Sequence, residues 1–249
     1  MIARAAMKMC ALAAVLALAS CSQQPDQSDR PVTSRDFPRA DRPVSKMVST
    51  QFSTEAQRDS QGEAKVVMDL AAIGEGTTVA DLGAGEGYYT VRLAQRVGKK
   101  GRVLAEDIDP GAIQRLGQRV LRDRLDTVSI KTGMVDDPHL PSGSFDRIFM
   151  IHMYHEVTEP YAFLWHLRPA LKARGQVVVV DLDRPTGRHG IPPALLFCEF
   201  GALGFRLTQF VRKPEITGYL AQFEAVGDRP SPAAIKACKL GAGGTAVQR

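Results

Sequence analysis

Asp81 is followed two residues later by three alternating glycines, in Val79-Ala-Asp81-Leu-Gly83-Ala84-Gly85-Glu-Gly87-Tyr88. Glycine adopts positive φ and lets a ligand approach backbone that a Cβ would block. In the dinucleotide fingerprint the third glycine would fall at position 88, which is Tyr88, so the spacing argues against NAD or FAD. A second acidic group follows in Glu106-Asp107-Ile108-Asp109. Farther on, His152-Met-Tyr154-His155-Glu156 sets an imidazole between a phenol and a carboxylate. Imidazole titrates near neutral pH, so His155 is the candidate base, with Tyr154 and Glu156 to orient it or a substrate. The bland alternative is that His155 and Glu156 cap the next helix. His152, His155, Glu156 and Cys198 do not suggest a metal, because an H-x-x-H at a strand end lacks a firm third ligand.

These residues need a scaffold, and the pattern supplies one. Strands are expected at 77–82, 101–107, 127–130, 145–151 and 176–181, alternating with helices over 54–70, 88–97, 110–125 and 161–171. Such alternation predicts a parallel sheet covered by helices. A helix over 194–203 and closing strands at 205–211 and 219–225 complete the domain, and 241–249 reads as a flexible tail. Ligands of open α/β sheets bind beyond the carboxyl ends of the strands. The glycine loop, Glu106-Asp107, His152–Glu156 and Asp181-Leu-Asp183 all follow strands and are placed there.

On these residues the chain resembles the class I S-adenosylmethionine-dependent methyltransferases, nearest to the small-molecule type of quinone biosynthesis. Asp81-Leu-Gly83-Ala84-Gly85-Glu-Gly87 is similar to that family's first motif. The resemblance implies a Rossmann-like α/β sandwich with a mostly parallel seven-stranded sheet and helices on both faces. It implies Asp81 near the methionine end of the cofactor, with Gly83, Ala84, Gly85 and Gly87 wrapping that end and the ribose. Tyr88 and Tyr89 are placed to cover the cofactor, though at least one is expected simply to pack on the sheet. Asp107, with Glu106 as the alternative, would accept from the ribose hydroxyls beside Ile108. In Thr132-Gly133-Met134-Val-Asp136-Asp137 many members carry an acid where this chain has Met134. Met134 is then set against the purine, and Asp136 or Asp137 at its amino group. The acceptor implied is a small or lipid-like molecule. The competing reading is a non-catalytic lipoprotein that keeps this fold as a binding module.

The N-terminus reads as an address. Arg4 and Lys8 precede a run of about ten apolar residues ending in Leu18-Ala19-Ser20-Cys21, which resembles a bacterial lipobox. The resemblance implies a signal peptide over 1–20, lipidation of Cys21 and a membrane-tethered protein of the cell envelope. Its outer membrane is implied if the source is Gram-negative, and initiation at Met47 would instead give a cytosolic protein. Cleavage before Cys21 removes Arg4 and Lys8 and lowers the net charge from +5 to +3. Residues 21–46, rich in Pro and polar side chains, read as a disordered tether, with the domain itself over 47–240. The scattered basic residues give no sign of nucleic-acid binding. Cys10, Cys21, Cys198 and Cys238 show no paired spacing, so Cys198 and Cys238 are expected as buried thiols.

Overall fold

The computed structural model describes residues 27–45, 54–241 and 243–248. The leader, Cys21 and Met47 lie outside the described residues. Seven strands form one sheet: β1 (Thr78–Leu82), β2 (Arg102–Asp107), β3 (Val128–Thr132), β4 (Phe145–Ile151), β5 (Leu171–Asp181), β6 (Phe205–Val211) and β7 (Tyr219–Ala225). Their order is β3-β2-β1-β4-β5-β7-β6. The first five are parallel, while β7 runs antiparallel between β5 and β6. The order reverses between β1 and β4, which opens a crevice at their carboxyl ends.

Strand alternation explains why both faces are covered. Along Val177-Val-Val-Val180 all four side chains are fully buried, with Val177 and Val179 in one apolar cluster and Val178 and Val180 in the other. Such a run has no solvent face and belongs at the centre of a parallel sheet. Helices α2 (Glu63–Leu70) and α3 (Tyr88–Val97) cover one face, and α5 (Pro160–Leu167) and α6 (Pro193–Ala202) cover the other. Helix α4 (Pro110–Arg122) packs on β2 and β3.

Four expectations are corrected. The single helix over 54–70 is two: α1 (Glu55–Gln61) stops where Gly62 turns left-handed, φ 72°, and α2 starts there. The supposed tether is ordered over 27–45. Phe37 is buried edge-on against Trp165, centroids 5.5 Å apart, and Arg30 forms a buried bidentate pair with Glu159 at 2.8 and 2.5 Å. Arg42 Nε meets Glu199 at 2.8 Å with both side chains buried. This segment lacks apolar periodicity because hydrogen bonds and ion pairs to groups far along the chain hold it in place. The tail is not wholly free, since Ala246–Gln248 (β9) pairs with Cys238–Leu240 (β8). Finally, Cys198 and Cys238 form a disulfide, Cα atoms 6.0 Å apart. Forty residues of separation hid a pairing that the packing of β8 on α6 creates. Among the described residues no helix is long and apolar enough to cross a membrane.

Candidate active site

Gly83, Gly85 and Gly87 all take left-handed φ, at 65°, 56° and 88°. The requirement is steric as well as conformational, because a Cβ on Gly87 would lie 2.5 Å from Leu116 Cδ1. The loop is pinned to the neighbouring strand: Ala84 N–H donates to the Glu106 carbonyl at 2.9 Å, and Gly85 N–H to Asp107 Oδ2 at 2.8 Å. Asp107 Oδ1 also accepts from Asp109 N–H at 2.9 Å. Gly83 itself is exposed, and Ala84 and Gly85 are half-buried. Backbone is therefore presented at the mouth of the crevice.

Three carboxyls converge behind this loop. Asp81 is fully buried and accepts the Thr90 hydroxyl at 2.6 Å, and burial raises its pKa to about 6. Glu106 is 2% exposed with Oε1 buried and without a hydrogen-bond partner, and burial together with Asp107 raises its pKa to about 8. Its side chain lies against Gly133, where a Cβ would clash at 1.6 Å. The two acids at the tip of β2 thus divide: Asp107 serves the glycine loop and Glu106 faces the turn after β3. Ile108 is half-buried beside them.

Beyond Gly133, Met134 is half exposed, and its backbone pairs with Asp137 through N–H to carbonyl at 2.8 Å. Asp136 is buried and accepts the hydroxyls of Thr33 and Ser34, the latter at 2.9 Å. Of the two acids, Asp137 is the one left partly exposed beside Met134, with Oδ1 accepting from His139 N–H at 2.6 Å. Tyr88 does not lie open over the loop. Its ring is sandwiched by the Arg58 and Arg92 guanidiniums, each 3.8 Å from the centroid, and its hydroxyl donates to Asp59 at 3.0 Å. That fixes α3 to α1.

A second cluster gathers at the ends of β4 and β5. His152 takes a left-handed φ of 56°, its N–H bonded to the Val180 carbonyl at 2.7 Å, and turns the chain into a 3₁₀ turn over Tyr154–Glu156. The turn sets His155 beside Asp181, the last residue of β5. His155 Nδ1 lies 2.9 and 3.0 Å from the two Asp181 oxygens, and both side chains are buried. A carboxylate accepts only from a protonated nitrogen, so the neutral imidazole carries its proton on Nδ1 and its lone pair on Nε2. Glu156 Oε1 lies 3.8 Å from that Nε2 and 4.0 Å from His189 Nδ1.

The remaining expected residues have other partners. Tyr154 is fully buried, donates its hydroxyl to Glu199 at 2.8 Å and is held far above its usual pKa, so it serves the Arg42–Glu199 network. His152 Nε2 lies 3.4 Å from Glu63, which also pairs with Arg58. Burial opposes ionisation of Glu63, yet His152 and Arg58 outweigh it and hold the carboxyl at about 2. Cys198 is spent in the disulfide. His189 had no sequence signal: it is a lone histidine in a loop, related to His155 by no regular spacing.

Comparison with known proteins agrees with this architecture. Residues 79–175 match a family model described as a methyltransferase domain. The chain is 28% identical over 186 residues to the ubiquinone/menaquinone biosynthesis C-methyltransferase UbiE of Methylococcus capsulatus, covering 72% of this chain and 71% of the relative. It is 31% identical over 145 residues to the nocamycin O-methyltransferase of Saccharothrix syringae, covering 56% of this chain and 48% of that one. The same UbiE enzyme of Idiomarina loihiensis is covered over 49% of its length, so the chain spans about half the length of several curated relatives. Among solved structures, a SAM-dependent methyltransferase from Aquifex aeolicus superposes with a TM-score of 0.59 at 22% identity, over 69% of this chain and 97% of that one. That likeness speaks for the fold. Residues 79–175 thus match a methyltransferase domain, set in the Rossmann-like fold that this chain shares with an S-adenosylmethionine-dependent methyltransferase.

Proposed function

We propose that the protein transfers a methyl group from S-adenosylmethionine to a small or lipid-like acceptor at the ends of β4 and β5. The observation that carries this reading is the pairing of two sites on one crevice. A left-handed glycine loop with three acids lies at β1 and β2, and a buried His155–Asp181 pair lies at β4 and β5. Met153 joins them, its side chain 3.0 Å from where a Cβ on Gly83 would be. The acids suit the cofactor: Asp81 and Asp107 take a hydroxyl and backbone amides, and Glu106 Oε1, buried without a partner, leaves one polar position for the ligand to fill. Clustered carboxyls of that kind favour a cationic ligand with hydroxyl donors.

When bound, the cofactor supplies an electrophilic methyl on a positively charged sulfur. Asp81 would balance the positive charge at the methionine end, and Asp107 would hold the ribose while fixing the loop. The chain's part in the chemistry is to hold the acceptor in line with the carbon–sulfur bond. An acceptor held at this end would give up its proton to His155 Nε2 as its nucleophilic atom takes the methyl group. Asp181 keeps that nitrogen aimed and stabilises the imidazolium that results.

The same reading places the domain in the cell envelope, lipidated at Cys21. The Cys198–Cys238 disulfide supports this, since disulfides persist in exported rather than cytosolic proteins. The test is incubation with methyl-labelled S-adenosylmethionine and pools of phenols, quinols and membrane lipid. Label in an organic product, lost in His155→Ala with cofactor binding kept, is the expected result. Binding without turnover on any pool would favour the tethered binding module.

A further inference from the structure

The acceptor end holds more donor groups than a lone base needs. His155, Glu156 and His189 each offer one ligand atom, and the three atoms lie within 4.8 Å of one another. Two imidazole nitrogens and one carboxylate oxygen form the protein ligand set of many zinc and other first-row divalent metal centres. A tetrahedral ion bonded at about 2.1 Å holds its ligands about 3.4 Å apart. The observed separations of 3.8 Å (His155 Nε2 to Glu156) and 4.0 Å (Glu156 to His189 Nδ1) close to that by side-chain rotation.

We propose that His155, Glu156 and His189 bind one divalent cation of the zinc class. Two further observations support a built site. Asp181, fully buried, takes the Nδ1–H of His155 and leaves Nε2 as the donor atom, the arrangement by which protein carboxylates orient metal-binding histidines. His189 is held at φ 53°, a backbone region that favours glycine, by its N–H bond to Ser45 Oγ at 2.9 Å. Strain of this sort is retained where the side chain's position matters. The half-buried Glu156 and His189 give the ion a path in from solvent, and three protein ligands leave a coordination position open.

The cation reading deepens the acceptor site proposed above but does not depend on the cofactor. With the cation in place His155 Nε2 is a ligand, and the base role passes elsewhere. An acceptor hydroxyl bound at the open position is acidified by the ion and loses its proton to solvent water, leaving an oxygen nucleophile. The acceptor class implied is therefore an alcohol or phenol.

The test titrates the purified full chain with zinc(II) in competition with a chromophoric chelator, and with cobalt(II) for its d–d spectrum. One equivalent bound with a dissociation constant below about 1 μM is expected, with a tetrahedral cobalt spectrum. His189→Asn, whose side chain tolerates left-handed backbone, and Glu156→Gln should each weaken binding by more than about 100-fold, beyond the cost of changing a group that only supports a ligand. Folding of each variant is checked by its melting curve. No equivalent bound tighter than about 10 μM, or affinity unchanged in both variants, would overturn the proposal. S-adenosylmethionine affinity measured on the same samples separates the two readings, because either can fail while the other stands.

Discussion

The crevice has two halves built in opposite ways. The β1–β2 half is local and made largely of backbone: one loop of five residues, three left-handed glycines and an acid that accepts the loop's own amide. The β4–β5 half is assembled from side chains far apart in the chain. His155 and Glu156 come from one turn, Asp181 from a strand end, His189 from the next loop, and Ser45 and Arg42 from the N-terminal segment. A backbone-built half tolerates little change in one short stretch. A side-chain-built half is tunable, which suits the acceptor end proposed above.

The largest expected effect tests whether the N-terminal segment truly belongs to the second half. Glu199→Ala leaves the Arg42 guanidinium buried and unpaired, which costs about 3–5 kcal/mol. At a few degrees per kcal/mol for a domain of this size, the melting temperature should fall by about 10 °C. A fall of under about 2 °C would mean the segment is only laid on the surface. Next in size is the disulfide: Cys198→Ser with Cys238→Ser should cost about 2–4 kcal/mol, read by denaturant midpoint. An unchanged midpoint in oxidised and reduced protein would remove this support for an envelope setting.

Much of this contrast follows from what a sequence can carry. The glycine loop, Asp107 and the strands around them were legible because steric need acts within a few residues, and glycine is the cheap solution. Val177–Val180 was equally plain, since burial on both faces leaves no polar position. The pairing of His155 with Asp181 was half legible, each residue being placed at a strand end without its partner. His189, the Arg42–Glu199 pair and the disulfide were not, because their partners are set by tertiary packing across 34 to 157 residues. The segment over 27–45 misled for the same reason: its polar residues look like solvent-facing linker until their distant partners are known.

Two pH dependences sharpen the account further. Glu63 is held near 2 against an ordinary 4.5, so its contribution to stability is complete above about pH 4.5 and is lost as pH falls through 2. The loss is at most about 3 kcal/mol, and Glu63→Gln should flatten the acid limb of a stability–pH curve. The smallest effect lies in the cofactor half. Asp81 is neutral below about pH 6, so affinity for the cationic cofactor should rise about tenfold between pH 5 and 7. Asp81→Asn should abolish that rise, and a rise that survives the substitution would assign it to another group.

The most direct test of the central claim is calorimetric titration of the purified protein with S-adenosylmethionine and its demethylated product, with Asp81→Ala and Asp107→Ala alongside. One equivalent should bind at micromolar affinity, weakened about 10–100-fold in each variant while the fold persists, as loss of charged hydrogen bonds implies. No binding to a demonstrably folded protein, or binding indifferent to both carboxylates, would contradict it.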